Sequence, residues 1–351
     1  MDKRSAGTVG VVIPARDGEL VIDQALASLA AQDVPVDEVV VVDDGSTDHT
    51  ARRARTWRAR LPLTVLSYPH PAGIGVARHR GIGALRTDLV MQLDADDALL
   101  PRHTRLMREA YAARPGLISP RPLVWDGGER ACVPTYLKNA YPQAGDQLAQ
   151  LLVHCYVVVG ALYSRRVYEQ VGGYRACRFA EDWDLWLRMV AGSVFVTKLP
   201  EPTYLYRVHA SYSAGFDIRQ AQVEPLERFL TDCRDPHYRA IAKLSILQRI
   251  GAAYLERFAR LDPARYRPVL RDLAIGDPVE IVADPDLGLI VHGPSGLWVI
   301  AEQARRARVL FHRRHTAGPD YIEDESLRLR WSSLRETGLA AFGLTNAGTL
   351  R

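Results

Sequence analysis

The chain has 351 residues, 47% of them hydrophobic and 25% charged, enough apolar material for one large domain or two moderate ones. Its 45 Lys and Arg against 41 Asp and Glu leave a net charge of +4, too small and too evenly mixed for an electrostatic nucleic-acid binder. No run reaches the roughly 18 to 20 apolar residues of a bilayer-spanning helix, and Met1-Asp2-Lys3-Arg4 lacks a signal peptide's apolar segment, so a cytoplasmic protein is expected.

Val9 to Ile13 is a β-branched run ended by Pro14, and Glu38 to Val42 is a second ended by Asp43-Asp44-Gly45. Such all-apolar strands are buried on both faces. Between them Leu20, Ile22, Ala25, Leu26 and Leu29 recur at helical spacing, so the unit reads strand, helix, strand, with parallel strands and a right-handed crossover. The alternation continues with a helix from about Asp48 to Arg60, a strand over Leu63 to Ser67, a helix from Gly75 to Leu85 and a strand from Leu89 to Leu93. This is the front half of an α/β sheet.

Past Asp97 the pattern is mixed: a helix from about Pro101 to Ala113, short strands near Leu117 to Ser119 and Val157 to Tyr163, a helix from Trp183 to Met189, and Val194 to Leu199 leading into Tyr204 to His209. After about Phe216 helical periods dominate, as in Ile241 to Phe258 and Leu297 to Phe311, with Arg305, Arg306 and Arg308 read as solvated helix faces. Val279 to His292 reads as a small hairpin around Asp284-Pro285-Asp286. The expected domains are 1–216, the α/β unit, and 217–351, mainly helical. The four cysteines are scattered without a CxxC pair and are expected as free, buried thiols.

Ligands of open α/β sheets collect at the carboxyl ends of the strands, and three polar strand ends fall there: Pro14-Ala15-Arg16, Asp43-Asp44-Gly45-Ser46 and Asp94-Ala95-Asp96-Asp97. Asp94, Asp96 and Asp97 crowd three carboxylates into four positions, which repel unless a cation intervenes; hard oxygen donors favour Mg2+ or Mn2+. The competing reading is a turn that caps the following helix. Among Ser46, Thr47 and Asp48 one is expected to cap a helix, whereas Asp44 sits where a carboxylate can accept the N–H of a base such as uracil. Gly73, Gly75, Arg78 and His79 open another helix, where amides and a guanidinium can meet phosphate oxygens.

Together these segments resemble the family 2 glycosyltransferases of the GT-A fold, over about Val9 to Ser213: the opening strand with Pro14, VVVVDDGSTD from Val39, GIGVARHRG from Gly73, LDADD from Leu93, AEDWDLWLR from Ala180 and YRVHASYS from Tyr206. Six segments in order are far more specific than any one. The fold the resemblance implies is α/β, a GT-A nucleotide-diphosphosugar transferase sheet flanked by helices, with the mainly helical C-terminal region appended.

The resemblance places Pro14, Ala15, Arg16, Asp43, Asp44, Gly73, Arg78, Asp94 and Ala95 around the nucleotide-sugar. Asp44 would contact the base, Arg78 base or phosphate, and Asp94 the ribose. Asp96, with Asp97 and His209, would hold Mg2+ or Mn2+, and Asp182, beside Glu181, would be the catalytic base. Two positions depart from the family: Ala15-Arg16-Asp17 stands where many members have a Thr-Tyr-Asn-like run, and His79 where Asn is frequent.

The implied reaction is inverting sugar transfer from a UDP or dTDP sugar to a hydroxyl acceptor, a saccharide, lipid-linked molecule or small natural product, without nucleic acid. The Arg-bearing helices would shape acceptor choice, form a homodimer or touch a membrane surface. Two alternatives stand beside it. A nucleotidyltransferase would also use carboxylates beside a sheet, but no Gly-rich, Lys-containing triphosphate loop is visible near Val9 to Gly18. A non-catalytic nucleotide-sugar binder would keep the fold without needing Asp182.

Overall fold

The structure, a computed structural model, describes residues 7–125, 131–132, 145–207, 221–267, 270, 278, 280–293, 296–303 and 306–314. The chain divides into two compact units. The first comprises Met1–Leu137, Gln143–Gln147 and Cys155–Phe216, and the second Lys138–Pro142, Leu148–His154 and Asp217–Arg351.

In the first unit the apolar runs form parallel strands: β1 (Val9–Ala15), β2 (Glu38–Asp44), β3 (Leu63–Tyr68) and β4 (Leu89–Gln92), with β2 and β4 flanking β1 and β3 outside β2. Every residue of β1 is buried, as a strand covered on both faces requires. Helices α1 (Ile22–Ala30), α2 (Thr50–Thr56) and α3 (Ile74–Ala84) are the crossovers. On α1, Ile22, Ala25, Leu26 and Leu29 form the buried stripe that joins Val11, Ile13, Val39 and Val41 in one core. Burying each large aliphatic side chain stabilises the fold by about 1.5–3 kcal/mol. Helix α3 approaches the sheet closely because Gly81 has no side chain; a Cβ there would lie 2.4 Å from Val12 Cγ1.

The sheet continues as β5 (Ala98–Leu99), β6 (Leu117–Trp125), β7 (Ala131–Cys132), β8 (Leu162–Ser164) and β9 (Val196–Arg207), in the order β3-β2-β1-β4-β8-β6-β9-β5, with β7 on β6. Strand β8 runs antiparallel to β4 and β6, whereas β6 and β9 are parallel. Helices α4 (His103–Ala113), α6 (Arg165–Gln170) and α7 (Glu181–Ala191) complete the series, whereas α5 (Gln147–Val153) belongs from Leu148 on to the second unit. The expected strand over Val157 to Tyr163 is short and begins at Leu162, and the expected helix at Trp183 starts two residues earlier, at Glu181.

Among the described residues the second unit combines helices with a sheet. Helices α8 (Val223–Asp232) and α9 (Pro236–Ile250) are present, α9 capped by Asp235, whose side chain accepts the His237 N–H at 2.8 Å. They are followed by a four-stranded antiparallel sheet of β10 (Glu280–Asp284), β11 (Gly288–Gly293), β12 (Gly296–Gln303) and β13 (Arg306–Arg314). The hairpin around Asp284-Pro285-Asp286 is thus observed, but Leu297 to Phe311, expected as helix, is the β12–β13 pair, and Arg306 and Arg308 lie on a strand. Leu297-Trp298-Val299-Ile300 and Val309-Leu310-Phe311 are β-branched and aromatic runs, which fit a pleated surface better than a helix turn. Ile281, Leu289, Val291, Trp298 and Ile300 share a core with Leu270. Lys243 reaches Asp284 and Asp286, each at 2.6 Å, and Tyr254 donates to Asp284 at 2.8 Å, so the buried charges of this unit compensate one another.

Among the described residues no helix is long and apolar enough to cross a membrane. Cys155, Cys177 and Cys233 are thiols outside any disulfide and are half-buried.

Candidate active site

The carboxyl ends of β1, β2 and β4 open into one cleft of about 530 Å3. Pro14, Ala15, Arg16, Asp44, Gly73, Asp94, Ala95 and Asp96, all expected from the sequence, line it. Asp17, Gly18, Leu20, Val21, Ile74 and Ala77 line it too and were not foreseen. For Asp17 the signal was the Asp17-Gly18 turn pair; for Leu20 and Ile74, the two exposed large hydrophobics among the described residues, the sequence offered none.

The rim is built by two loops that hold each other. Asp17, in the left-handed region at φ 48°, accepts the Thr47 N–H at 2.7 Å, and its own N–H donates to Ser46 Oγ at 3.0 Å. Gly18 N–H donates to Thr50 Oγ1 at 2.7 Å, and Glu19 N–H to Asp48 at 3.1 Å. Asp48 also accepts the Thr50 N–H at 2.9 Å, so of the three expected capping residues it is Asp48 that serves the start of α2. The Asp43 carboxylate closes the turn by accepting the Ser46 N–H at 3.1 Å and does not line the cleft.

Asp44 is buried at the end of β2. Its carboxylate accepts the N–H groups of Ala72, at 2.9 Å, and Gly73, at 2.8 Å. Gly73 precedes α3 with φ at 98°, a conformation open to glycine, so Asp44 sets the turn that presents the start of α3 to the cleft.

Arg78 departs from expectation. It does not line the cleft; it is fully buried, and its Nη2 donates to Asp94 Oδ1 at 2.6 Å while Nη1 pairs with Glu181. Burial opposes its charge, yet Asp94, Tyr174, Glu181 and Asp182 hold the guanidinium protonated well above its ordinary range. His79, on the next residue of the helix, turns to Tyr168, with Nδ1 and the hydroxyl 2.8 Å apart.

Glu181 and Asp182 occupy the first turn of α7, entered through Ala180 in the left-handed region at φ 52°. Asp182 accepts the Trp183 N–H at 2.8 Å. Loss of water at this position, and then the adjoining charge of Glu181, push the Asp182 carboxyl up to about 7, against the pull of Arg78.

Asp96 lines the cleft, whereas Asp97 is turned away from it: buried, it accepts the Tyr204 hydroxyl at 2.6 Å and the Arg207 N–H at 2.7 Å. Burial and the charge of Asp94 push the Asp97 carboxyl up to about 8. His209 lies outside the described residues. Among the described residues no three His, Cys, Asp or Glu side chains are grouped as a metal cage. The half-buried carboxylates of Asp94 and Asp96 at the cleft nevertheless suit a hard cation that keeps some water and shares a diphosphate.

Residues 10–172 match the family described as Glycosyl transferase family 2. The amylovoran biosynthesis glycosyltransferase AmsE of Erwinia amylovora is 24% identical over 183 residues, 51% of this chain and 68% of that protein. In fold the chain is similar to S. aureus TarS 1–349 in complex with UDP-GlcNAc, with a TM-score of 0.57 and 19% identity over 69% of this chain and 72% of that one. It is also similar to the mannosyltransferase PcManGT of Pyrobaculum calidifontis in complex with GDP-Man and Mn2+, with a TM-score of 0.52 and 20% identity over 76% and 80%. The match over 10–172 contains the cleft at the ends of β1, β2 and β4: the chain is a glycosyltransferase with a family 2 segment over those residues, and it carries the GT-A fold.

Proposed function

We propose that the protein is an inverting transferase that moves a sugar from a UDP or dTDP sugar to an acceptor hydroxyl, with Asp182 as the general base. The observation that carries this reading is the gathering of Asp44, Asp94 and Asp96 on one cleft, with Arg78 and Glu181 joining Asp94 to the helix turn that bears Asp182. The UDP-GlcNAc and GDP-Man complexes of TarS and PcManGT support a nucleotide-sugar donor.

The base would lie against Pro14 to Arg16 and Asp44, whose Oδ1 retains lone-pair capacity for a pyrimidine imide N–H, Oδ2 being taken by the Ala72 and Gly73 N–H groups. Asp94 would face the ribose. Asp96, with His209, would hold Mg2+ or Mn2+, which when bound supplies charge neutralisation to the departing diphosphate; Asp97, committed to Tyr204 and Arg207, is not assigned there. Asp182 takes the proton of the acceptor hydroxyl as its oxygen bonds to the anomeric carbon. The bond from that carbon to the diphosphate breaks, and the nucleoside diphosphate leaves with the electron pair. A single displacement inverts the anomeric centre.

The second unit is proposed to act in acceptor recognition or self-association, including a homodimer, or in contact with a membrane surface from the cytoplasmic side. The central test is Asp182→Asn, which keeps size and removes basicity. Donor binding should persist while single-turnover transfer slows by about 10²- to 10⁴-fold, and NMR should show a β-linked product from an α-linked donor. Wild-type turnover in the variant, or a retained anomer, would overturn the mechanism.

A further inference from the structure

Arg78 connects two parts of the site that the sequence separates widely. Its side chain is 2% exposed, and the two arms of the guanidinium are committed to different elements: Nη2 to Asp94, in the loop after β4, and Nη1 to Glu181, the first residue of α7. Its Nε is buried without a hydrogen-bond partner, so the fork is directed at carboxylates rather than backbone. Helix α3 also lies directly against the start of α7: a Cβ on Gly75 would stand 3.1 Å from Glu181 Cγ and 3.7 Å from the Arg175 carbonyl oxygen. Asp94 lines the cleft on the donor side, and Glu181 adjoins Asp182.

One buried cation between two carboxylates leaves an excess of negative charge, to which Asp182 adds. Removing either partner of such a pair leaves a buried charge uncompensated, so the three side chains are locked together. We propose that Arg78 and Glu181 are positioning residues, an ion-paired strut that fixes the first turn of α7, and with it Asp182, against the donor-side carboxylate Asp94. The role assigned to Asp182 rests on the reading of that residue as the base. A donor that engages Asp94 then acts on the same guanidinium that sets the base, so donor binding and acceptor activation are coupled through one side chain.

The groups that face Asp182 are Glu181 on its own helix, Arg78 from α3, Asp94 from the loop after β4 and Tyr174 from the turn before α7. The two strut partners act on Asp182 with opposite sign, Glu181 as a like charge and Arg78 as an opposite one. This gives a signature that packing alone would not produce.

The test uses the full chain labelled with 13C at the aspartate side-chain carboxyl, titrated by NMR, with the Asp182 signal identified by its loss in Asp182→Asn. Glu181→Gln should lower the Asp182 midpoint by about one unit or more, and Arg78→Met should raise it by a similar amount. Arg78→Lys, which keeps the charge, should return it toward the wild-type value. Midpoints that move the same way in Glu181→Gln and Arg78→Met, or do not move, overturn the strut. If Arg78→Met fails to fold by circular dichroism, Glu181→Gln decides alone, an unmoved or raised midpoint being the overturning result. The base reading is judged separately: unchanged release of UDP from a UDP sugar by Asp182→Asn removes the base and leaves the titration result standing.

Discussion

The Tyr204 hydroxyl donates to the Asp97 carboxylate at 2.6 Å, and that bond divides the acidic loop into two jobs. Asp97 latches the loop to β9, where the Arg207 N–H also reaches it, while Asp96 stays on the cleft. Asp97→Ala should therefore destabilise the fold by about 1–3 kcal/mol, because it leaves a buried hydroxyl and a backbone N–H unpaired. Asp96→Asn should do the reverse, sparing the melting temperature and weakening Mn2+-dependent binding of UDP. Differential scanning calorimetry and titration calorimetry on the two variants check this, and a loss of Mn2+ dependence in a stable Asp97→Ala would refute the division.

Asp44 holds two amides of the turn before α3 as well as facing the cleft. Asp44→Ala should weaken binding of free UDP about tenfold or more, a loss of roughly 1.4 kcal/mol. Asp44→Asn, which keeps one acceptor oxygen, should lie between variant and wild type. Unaltered UDP affinity in a folded Asp44→Ala would remove this residue from the nucleotide site.

Turnover should rise with pH. With the Asp182 carboxyl pushed up to about 7, the fraction of the deprotonated base falls about tenfold for each unit below that value and is saturated above it. Initial rates across pH 5.5 to ~8.5 test the limb, and a profile flat through neutrality would count against Asp182.

The two buried histidines should contribute a loss of stability in acid, opposed by Asp97 and Asp182, whose raised carboxyls favour the folded state as pH falls. His103 is buried, with Nδ1 2.9 Å from Thr203 Oγ1, and burial lowers it to about 3; His154 in the second unit is lowered to about 3 by burial and then by Arg249. The unfolded chain takes up the histidine protons near pH ~6.5 and the folded chain does not, so the histidines' contribution, present above that value, is lost progressively down to about pH 3. Each histidine contributes a slope of at most about 1.4 kcal/mol per pH unit. His103→Asn should lower the slope of urea midpoints against pH between about 6 and 4; an unchanged slope would show that His103 is not the proton sink.

Much of this architecture was legible where the pattern carries a period. The runs Val9 to Ile13 and Val39 to Val42 are apolar at every position, which only a strand buried on both faces explains, and the carboxylates after them could go nowhere but the sheet's ligand-binding end. The directions of single side chains within a loop carry no period. Asp96 and Asp97 are neighbours in sequence with opposite fates, and Arg78 reads as a phosphate ligand until its two carboxylate partners are seen. The parallel pairing of β6 with β9 joins Leu117 to Val196, a register that only tertiary packing selects. Leu297 to Phe311 misled because arginines at short intervals suit a helix face as well as a strand.

The second unit takes Leu148–His154 from the middle of the chain, and this sets an order of events at the ribosome. Leu151 and Leu152 are fully buried, and the Val153 carbonyl accepts from Arg249, 96 residues further on. At about 5 to 20 residues per second, α5 leaves the ribosome about 5 to 20 seconds before that partner exists. During that interval its leucines are a ligand for chaperones, and a nascent chain stalled between the two segments would be a species prone to association even with the glycosyltransferase cleft already formed.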